Sequence, residues 1–514
     1  MPAAVLLTSC LPFFRALLLL TAGAVTTFSY APYTLWWLPL LTLAVLAATV
    51  LHAVSPRQAL LNGFYFGLGW FGAGISWVHV SIDQFGGLPL AGSLALMALL
   101  VAYLALYPAL ACYVSARLNK KSLLPLVLAA SWTLSEWLRS WILTGFPWLS
   151  LGYSQTDAGL AALAPLIGQT GISFLLVFSA AALAQLFSPQ PALSRYSYIV
   201  VAGIIFALSP ITTQYRGWQN TEQQLDVVLV QGNIRQELRW APEQEWPTML
   251  KYLDLTRPHF QADLVIWPEA AIPQLEPLAS SYLENLNKAA LYSNSAVISG
   301  ILDYNFNTQQ AWNNLIVLGK RQPDSTDGDY FYGHGNRYSK HHLLPIGEFV
   351  PFESWLRKLA PIFDLPMSSF SRGAYVQPNL VANGYHLLPA ICFEIAFPEQ
   401  IAANMTNDTQ LLLTVSNDAW FGDSIGPHQH LQIARMRAME FGRPLLRATN
   451  TGVTAVIRAD GSISAIAPQF AETVLADTVQ LSTGHTPYSR IGDNGLLILC
   501  GLILLASAVN YRRN

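Results

Sequence analysis

The sequence predicts a polytopic α-helical membrane domain joined to a soluble, layered α/β domain. Three observations carry this. The chain of 514 residues is 53% hydrophobic and only 11% charged, where a soluble protein carries about 25% charged residues. The deficit is local, since Met1 to Thr212 is almost continuously apolar while charge gathers between Glu222 and Arg490. Within that charged stretch, short runs of β-formers alternate with helical segments, the pattern of an α/β fold.

A spanning helix needs about 20 mostly apolar residues. Stretches of that kind fall near 10–29, 34–54, 59–80, 88–115, 123–143, 160–187, 196–212 and 494–510, so about eight spans are expected, seven of them before the soluble domain. The division is 1–215 for the membrane domain, 222–490 for the soluble domain and 494–514 for a closing span and tail. Lys and Arg favour the cytoplasmic side. Arg57, Arg117, Lys120, Lys121, Arg195, Arg512 and Arg513 occupy alternate loops and the C-terminal tail, while the loops at Tyr30–Tyr33 and Ser81–Gly87 hold no Lys or Arg. Arg139 stands near the start of the third such loop, at a helix end. Both termini are therefore expected inside and the soluble domain outside, which in a bacterium is the periplasm. The first apolar run lacks a basic n-region and further spans follow at once, so it reads as a retained span rather than a signal peptide. Leu7-Thr8-Ser9-Cys10 looks like a lipoprotein processing box, but too little apolar sequence precedes it.

The strand-like runs are Leu225–Gly232, Asp263–Glu269, Ala296–Leu302, Asn314–Gly319, Leu387–Glu394 and Leu411–Asp418. Continuously apolar strands imply a sheet covered on both faces. Thr454–Ile466 reads as a hairpin with Asp460-Gly461 at its turn, and His430–Gly442 as a helix closed by glycine. Net charge is −2 with no basic tract, which argues against nucleic acid as a partner. Of the four cysteines, Cys10, Cys112 and Cys500 lie in apolar stretches, and Cys392 stands alone in the soluble domain. No disulfide framework or Cys-x-x-Cys metal pair is possible there.

Three segments bring chemistry. LVIWPEA places Glu269 at a strand end, YSKHHLLPIGEFVP supplies Lys340 and Glu348, and LLPAICFEI places Cys392 where an apolar strand enters a turn. Acyl transfer needs a nucleophile, a base for its proton and positive groups aimed at the oxyanion. Taken singly, Cys392 is equally a small core residue, Glu269 a helix-entry carboxylate, Lys340 a surface lysine, and Glu348 a surface acid or an anchor for Lys340. A thiol (pKa about 8.5) and a glutamate (about 4.3) differ enough that moving the proton costs about 6 kcal/mol in water. An apolar wall raising the Glu269 pKa, and Lys340 held closer to sulfur than to Glu269, would lower that cost. His428 and His430 suggest a metal, but residues i and i+2 do not share a helix face, and no third ligand is placed to help. SNDAWFG (Ser416–Gly422) and RATNTG (Arg447–Gly452) are polar clusters suited to ordering loops around a site.

The Trp-Pro-Glu, Lys-before-Leu-x-Pro-x-Gly-Glu and Cys-x-Glu elements, in this order, resemble the nitrilase or carbon–nitrogen hydrolase superfamily, with its Glu–Lys–Cys triad. The resemblance implies an αββα sandwich. With the membrane part added, the whole chain resembles the apolipoprotein N-acyltransferase family of Gram-negative bacteria; SWVHVSI (Ser76–Ile82) and LTGFPWLSLGYSQ (Leu143–Gln155) look like its membrane segments. That resemblance implies Cys392 as nucleophile, Glu269 as general base and Lys340 as the oxyanion-stabilising lysine. It further implies Glu348 and Glu394 as supporting acids, Trp240 as a loop tryptophan near the site, and the Phe393 backbone N–H as an oxyanion donor. Phe393 departs from the family, where tyrosine is frequent. The implied reaction moves an sn-1 acyl chain from a phospholipid, typically phosphatidylethanolamine, through a Cys392 thioester to the α-amine of a diacylglyceryl-cysteine lipoprotein, in the inner membrane and without metal or cofactor. Trp355–Phe370 is an apolar arm with Arg357 and Lys358, suited to an interfacial lid or to ordinary packing. Two rival readings are a membrane-anchored amidase or nitrilase and a transporter with a soluble appendage. A single anchor would serve the first, and transporters carry intramembrane charges or repeated halves, of which only Glu136 and Arg139 offer a trace.

Overall fold

The computed structural model describes residues 12–85, 89–118, 121–188, 191–326, 330–345, 347–349 and 370–512. Cys10, the processing-box residues and the arm up to residue 369 lie outside them. The chain forms two compact units, Met1–Arg216 with Arg490–Asn514, and Gly217–Ser489.

Helices of the first unit are α1 (Pro12–Thr26), α2 (Leu38–Leu51), α3 (Pro56–Gly74), α4 (Val78–Phe85), α5 (Leu90–Leu118), α6 (Leu124–Arg139), α7 (Ala164–Ala184) and α8 (Ala192–Leu208), with a closing helix Asn494–Arg512. Among the described residues, four helical stretches are long and apolar enough to cross a membrane: Pro12–Ser29, Leu90–Leu118, Gly159–Phe187 and Arg195–Tyr215. Leu38–Leu51 and Asn494–Asn510 are apolar but shorter. At the expected spans 59–80 and 123–143 stand α3 and α6, whose polar side chains Asn62, Glu136 and Arg139 are buried within the unit. Helices pack here by close approach of small residues rather than by expulsion of water. A Cβ on Gly23 of α1 would come 2.0 Å from the Phe66 carbonyl oxygen of α3, and one on Gly69 would come 1.9 Å from that of Leu20. Beyond α6, the segment 140–150, which includes a 3-10 turn at Ile142–Thr144, has two of its carbonyls satisfied by a buried cation. Arg139 donates to the carbonyls of Phe146 (2.7 Å) and Trp148 (2.5 Å), and Glu136 accepts the Leu151 N–H at 3.1 Å.

The second unit holds two sheets. Its strands are β1 (Trp218–Gln231), β2 (Leu264–Ile266), β3 (Ile272–Leu275), β4 (Ala296–Asn305), β5 (Gln310–Gly319), β6 (Arg337–Ser339), β7 (Leu380–Ala382), β8 (Tyr385–Ile391), β9 (Leu411–Ser416), β10 (Leu445–Thr449), β11 (Ala455–Ile457), β12 (Ile463–Ile466) and β13 (Thr473–Gly484). One sheet runs β13-β1-β2-β4-β5-β6, with β3 also on β4, and the other runs β12-β11-β10-β9-β8-β7. Side chains alternate between the two faces of a strand. Leu225, Val227 and Leu229 of β1, with Leu264 and Ile266 of β2, enter one core with Leu387, Ile391, Leu411 and Leu413 of the other sheet. Val228, Val230 and Val265 face outward into a second core with Met249, Tyr252, Leu283 and Leu286. Those four belong to α9 (Pro242–Thr256) and α10 (Ser280–Tyr292). The second sheet is flanked in turn by α11 (Pro398–Asn404) and α12 (Gly426–Phe441). The order is therefore helix, sheet, sheet, helix.

The strands β8, β9 and β10 run parallel, so their C-terminal ends line up. The C-terminal end of β8 carries Cys392, and the C-terminal end of β9 carries Asn417 and Asp418.

Candidate active site

Glu269 is set by a close approach of two backbones. After β2 the chain still follows β4, with Trp267 N–H on the Ile298 carbonyl (2.8 Å) and Gly300 N–H on that of Pro268 (3.2 Å). A Cβ on Gly300 would stand 2.3 Å from the Ala270 nitrogen and 2.7 Å from the Glu269 Cα, so only glycine lets the Glu269 segment lie there. Arg239, buried, donates to the Glu269 carbonyl and at 3.0 Å to that of Ala270. The Glu269 carboxylate accepts from Asn313 Nδ2 at 2.8 Å and from the Asn417 backbone N–H at 3.1 Å.

Lys340 follows β6, and its N–H donates to the Asn313 carbonyl at 2.8 Å. Its side chain is 2% exposed. The ammonium lies 2.8 Å from Glu348 Oε1 and 3.5 Å from Glu269 Oε1. Asn313 Nδ2 reaches Glu348 Oε1 as well, at 3.2 Å. Burial works against this charge, but the two carboxylates outweigh it and hold the Lys340 pKa above its ordinary value. Glu348 is fixed by the Leu344 N–H at 2.8 Å.

Cys392 ends β8 with φ of 54°, a left-handed conformation uncommon for a side-chain-bearing residue and frequent at functional sites. Burial and the Glu269 charge push its thiol pKa up, while Lys340 and a hydrogen bond with Ser416 pull it down; the net shift is upward. Lys340 hydrogen-bonds Glu348 and faces Glu269, so its charge is largely spent on carboxylates.

The turn after Cys392 is fastened to the lysine loop by Glu394, which is fully buried. Its Oε1 accepts from Tyr338 Oη (2.9 Å), His341 N–H (2.8 Å), His342 N–H (3.0 Å) and Gln400 Nε2 (2.9 Å), and its Oε2 accepts the Ile391 N–H at 2.8 Å. Phe393 packs edge-on against Phe397 with centroids 5.1 Å apart. Trp240 is 40% exposed and lies under the Arg239 guanidinium at 5.4 Å.

Glu269, Lys340 and Glu348 thus meet in one hydrogen-bonded group, and the charges of Glu269 and Lys340 reach Cys392. Glu394 and Phe393 brace the turn after Cys392, and Trp240 stands beside the arginine that holds the Glu269 backbone. Asn313 and Arg239 are parts of the site that sequence reasoning did not find; their signal is weak, since each stands beside a recognised motif only after folding. Asp418, His430 and Arg447 form a further buried group. Asp418 takes Ser416 Oγ at 2.5 Å and Arg447 Nη2 at 2.6 Å, and His430 Nε2 lies 3.1 Å from the Cys392 carbonyl oxygen. Burial penalises the Asp418 charge, yet Arg447 and His430 hold its pKa down to about 2. Burial and Arg447 lower that of His430. The polar clusters at 416–422 and 447–452 supply two of these residues and Asn450, which receives the Ile234 N–H and donates to Asn417 Oδ1.

Comparison with known proteins agrees with this geometry. Residues 22–182 match the apolipoprotein N-acyltransferase N-terminal domain, and residues 227–486 match the carbon–nitrogen hydrolase family. The apolipoprotein N-acyltransferase of Shewanella oneidensis is 49% identical over 506 residues, covering 97% of this chain and 96% of that protein. That of Vibrio cholerae is 49% identical over 485 residues (93% and 94%), and that of Haemophilus influenzae 40% over 501 residues (96% and 94%). With that likeness running end to end across both units, the chain belongs to the apolipoprotein N-acyltransferase family.

Proposed function

We propose that this protein transfers an acyl chain from a membrane phospholipid, through a thioester on Cys392, to the N-terminal α-amine of a diacylglyceryl-cysteine lipoprotein. The observation that carries the reading is the hydrogen-bonded Glu269–Lys340–Glu348 group, of which Glu269 and Lys340 bear electrostatically on Cys392, in a chain that also carries a unit of apolar helices. As the sulfur attacks the sn-1 ester carbonyl, Glu269 takes its proton, so no free thiolate is needed beforehand. The ammonium of Lys340 and the Phe393 N–H stabilise the tetrahedral oxyanion. Collapse expels the lysophospholipid alkoxide, which takes the proton from Glu269 and leaves the acyl-thioester. The lipoprotein amine then attacks the thioester, Glu269 receives the amine proton, and the departing sulfur recovers it as the amide forms. Phosphatidylethanolamine is the proposed donor, the bacterial inner membrane the location, and the periplasm the compartment of residues 222–490. About eight spans are proposed, α3 and α6 included. The test is mass spectrometry of the purified protein incubated with phosphatidylethanolamine alone. One acyl chain on Cys392, labile to hydroxylamine and missing from Cys392→Ala, is expected; labelling that survives Cys392→Ala would overturn the assignment.

A further inference from the structure

Cys392 holds an unfavourable backbone conformation, φ 54°, and some contact must keep it there. The carbonyl of Cys392 provides the handle. It lies 3.1 Å from Nε2 of His430, which is fully buried on α12. A carbonyl oxygen can only accept, so Nε2 carries the hydrogen in this contact. The opposite ring nitrogen, Nδ1, lies 3.1 Å from both Asp418 Oδ1 and Arg447 Nη2. Asp418 is itself left-handed, with φ 49°. It is clamped by Arg447 at 2.6 Å and by Ser416 at 2.5 Å. A Cβ on Gly452 would fall 2.2 Å from Asp418 Oδ2, so the arrangement is built tightly on three segments. The loop that carries Asp418 also touches the base, since the adjacent Asn417 N–H is on Glu269 Oε2 at 3.1 Å. One short segment therefore contacts the base directly and the nucleophile's backbone through an imidazole.

We infer that His430 is a positioning residue for the acyl-transfer step: its Nε2–H, oriented by Asp418 and Arg447, holds the Cys392 carbonyl and thereby keeps the left-handed turn that directs the sulfur toward Glu269 and Lys340. The inference rests on Cys392 being the nucleophile. Truncating the hydrogen bond removes the constraint on the Cys392 carbonyl, leaving Glu394 to hold only the flanking backbone, so the sulfur samples positions from which attack is slow. Donor phospholipid is not held by His430, so its binding is unaffected.

The experiment compares His430→Gln, His430→Asn and His430→Leu in the full-length protein, measuring thioester formation against phosphatidylethanolamine concentration together with thermal melting. A glutamine amide nitrogen reaches the place of Nε2; an asparagine amide reaches only the place of Nδ1. Gln should stay within about fivefold of wild type, whereas Asn and Leu should slow maximal acylation by about 100-fold, a loss of the size seen for catalytic proton-transfer or oxyanion groups. Half-saturating phospholipid should be unchanged in all three. Equal acylation by Gln and Asn at equal melting temperatures would overturn the inference, as would a folded Leu variant with wild-type acylation. If Leu does not accumulate, the Gln–Asn pair decides alone. Absence of any thioester in the wild type would instead defeat the proposed function, so the two failures are distinguishable.

Discussion

The site's charges are arranged around the lysine rather than the sulfur. Lys340 is buried between two carboxylates, so replacing it removes the charge that keeps them compatible. Breaking a buried ion pair by deleting one partner costs about 3–5 kcal/mol. Lys340→Met is therefore expected to slow acylation at least ~100-fold and also to lower the melting temperature. Glu269→Gln should slow acylation by a similar ~100-fold factor but melt closer to wild type, because Lys340 keeps Glu348. Acyl-labelling time courses and calorimetry check both; near-normal labelling in either variant removes that residue from the mechanism. Asp418 adds a pH effect with a defined sign. Its pKa is depressed in the folded state to about 2 from 3.8, so its contribution is fully present above pH ~4 and disappears as pH falls through ~2, an amount of about 2 kcal/mol. Asp418→Asn should melt lower at neutral pH and lose less than wild type between pH 4 and 2. Cys392, Glu269 and Lys340 were legible in sequence because each sits in a distinctive local motif beside a strand. Arg239, Asn313 and His430 were not, because a residue's partner across a fold leaves no mark on its own neighbours; His430 was visible only as one of two histidines on a helix.

At the scale of elements, the Cys392 turn is held by side chains on both sides of it. Glu394 receives donors on both carboxylate oxygens, four on Oε1 and the Ile391 N–H on Oε2. Glu394→Gln keeps the shape but turns an NH2 toward at least one of those donors. An unsatisfied buried donor costs about 1–3 kcal/mol, so thermal melting should fall by that amount and acylation should slow. An unchanged melt would mean the turn does not depend on the carboxylate. The aromatic next to the nucleophile contributes packing. Phe393→Tyr should change acylation by less than about tenfold, whereas Phe393→Ala removes the contact with Phe397 and should cost about 3–5 kcal/mol of stability. Alanine equal to wild type in rate and melt would show that the ring does not hold the turn. Most apolar strands were evident from composition, and the Asp460-Gly461 hairpin forms as β11 and β12. β13 was not recognised, and β1 begins well before the expected Leu225. The reason is the same for both: β13 pairs along β1 at a sheet edge, its Gln480–Gly484 end with Trp218–Gln224, and much of Trp218–Gln224 and of Thr473–Gly484 is exposed. Half-exposed edge strands carry polar residues that blur the signal on which strand recognition relies.

For the whole molecule, the question left by hydropathy is how many helices cross the membrane. Among the described residues, four stretches qualify by length and hydropathy, and Leu38–Leu51 and Asn494–Asn510 are apolar but short. The remaining two expected spans, α3 and α6, carry polar groups inward. Buried Asn62, Glu136 and Arg139 lower the mean hydropathy of α3 and α6, although these groups are inside the helical unit, where protein can satisfy them. An average along the sequence cannot tell a polar side chain aimed at protein from one aimed at lipid, so the positions of positive charge are the better guide to the path of the chain. Arg57, Arg117, Lys120, Lys121 and Arg195 recur at alternate loops, and Arg512 and Arg513 end the chain. If α3 and α6 both cross, these residues all fall on one side, and Thr326, in the middle of the second unit, falls on the other. If α6 alone fails to cross, Lys121 and the C-terminus separate, and if α3 alone fails to cross, Arg57 separates from Lys121; either way the positive residues are split across the bilayer against the charge rule. Reporter fusions after Lys121 and after Asn514 should therefore both signal cytoplasm, and one at Thr326 should signal periplasm. A cytoplasmic signal at Thr326, or opposite signals at Lys121 and Asn514, would require a different set of spans.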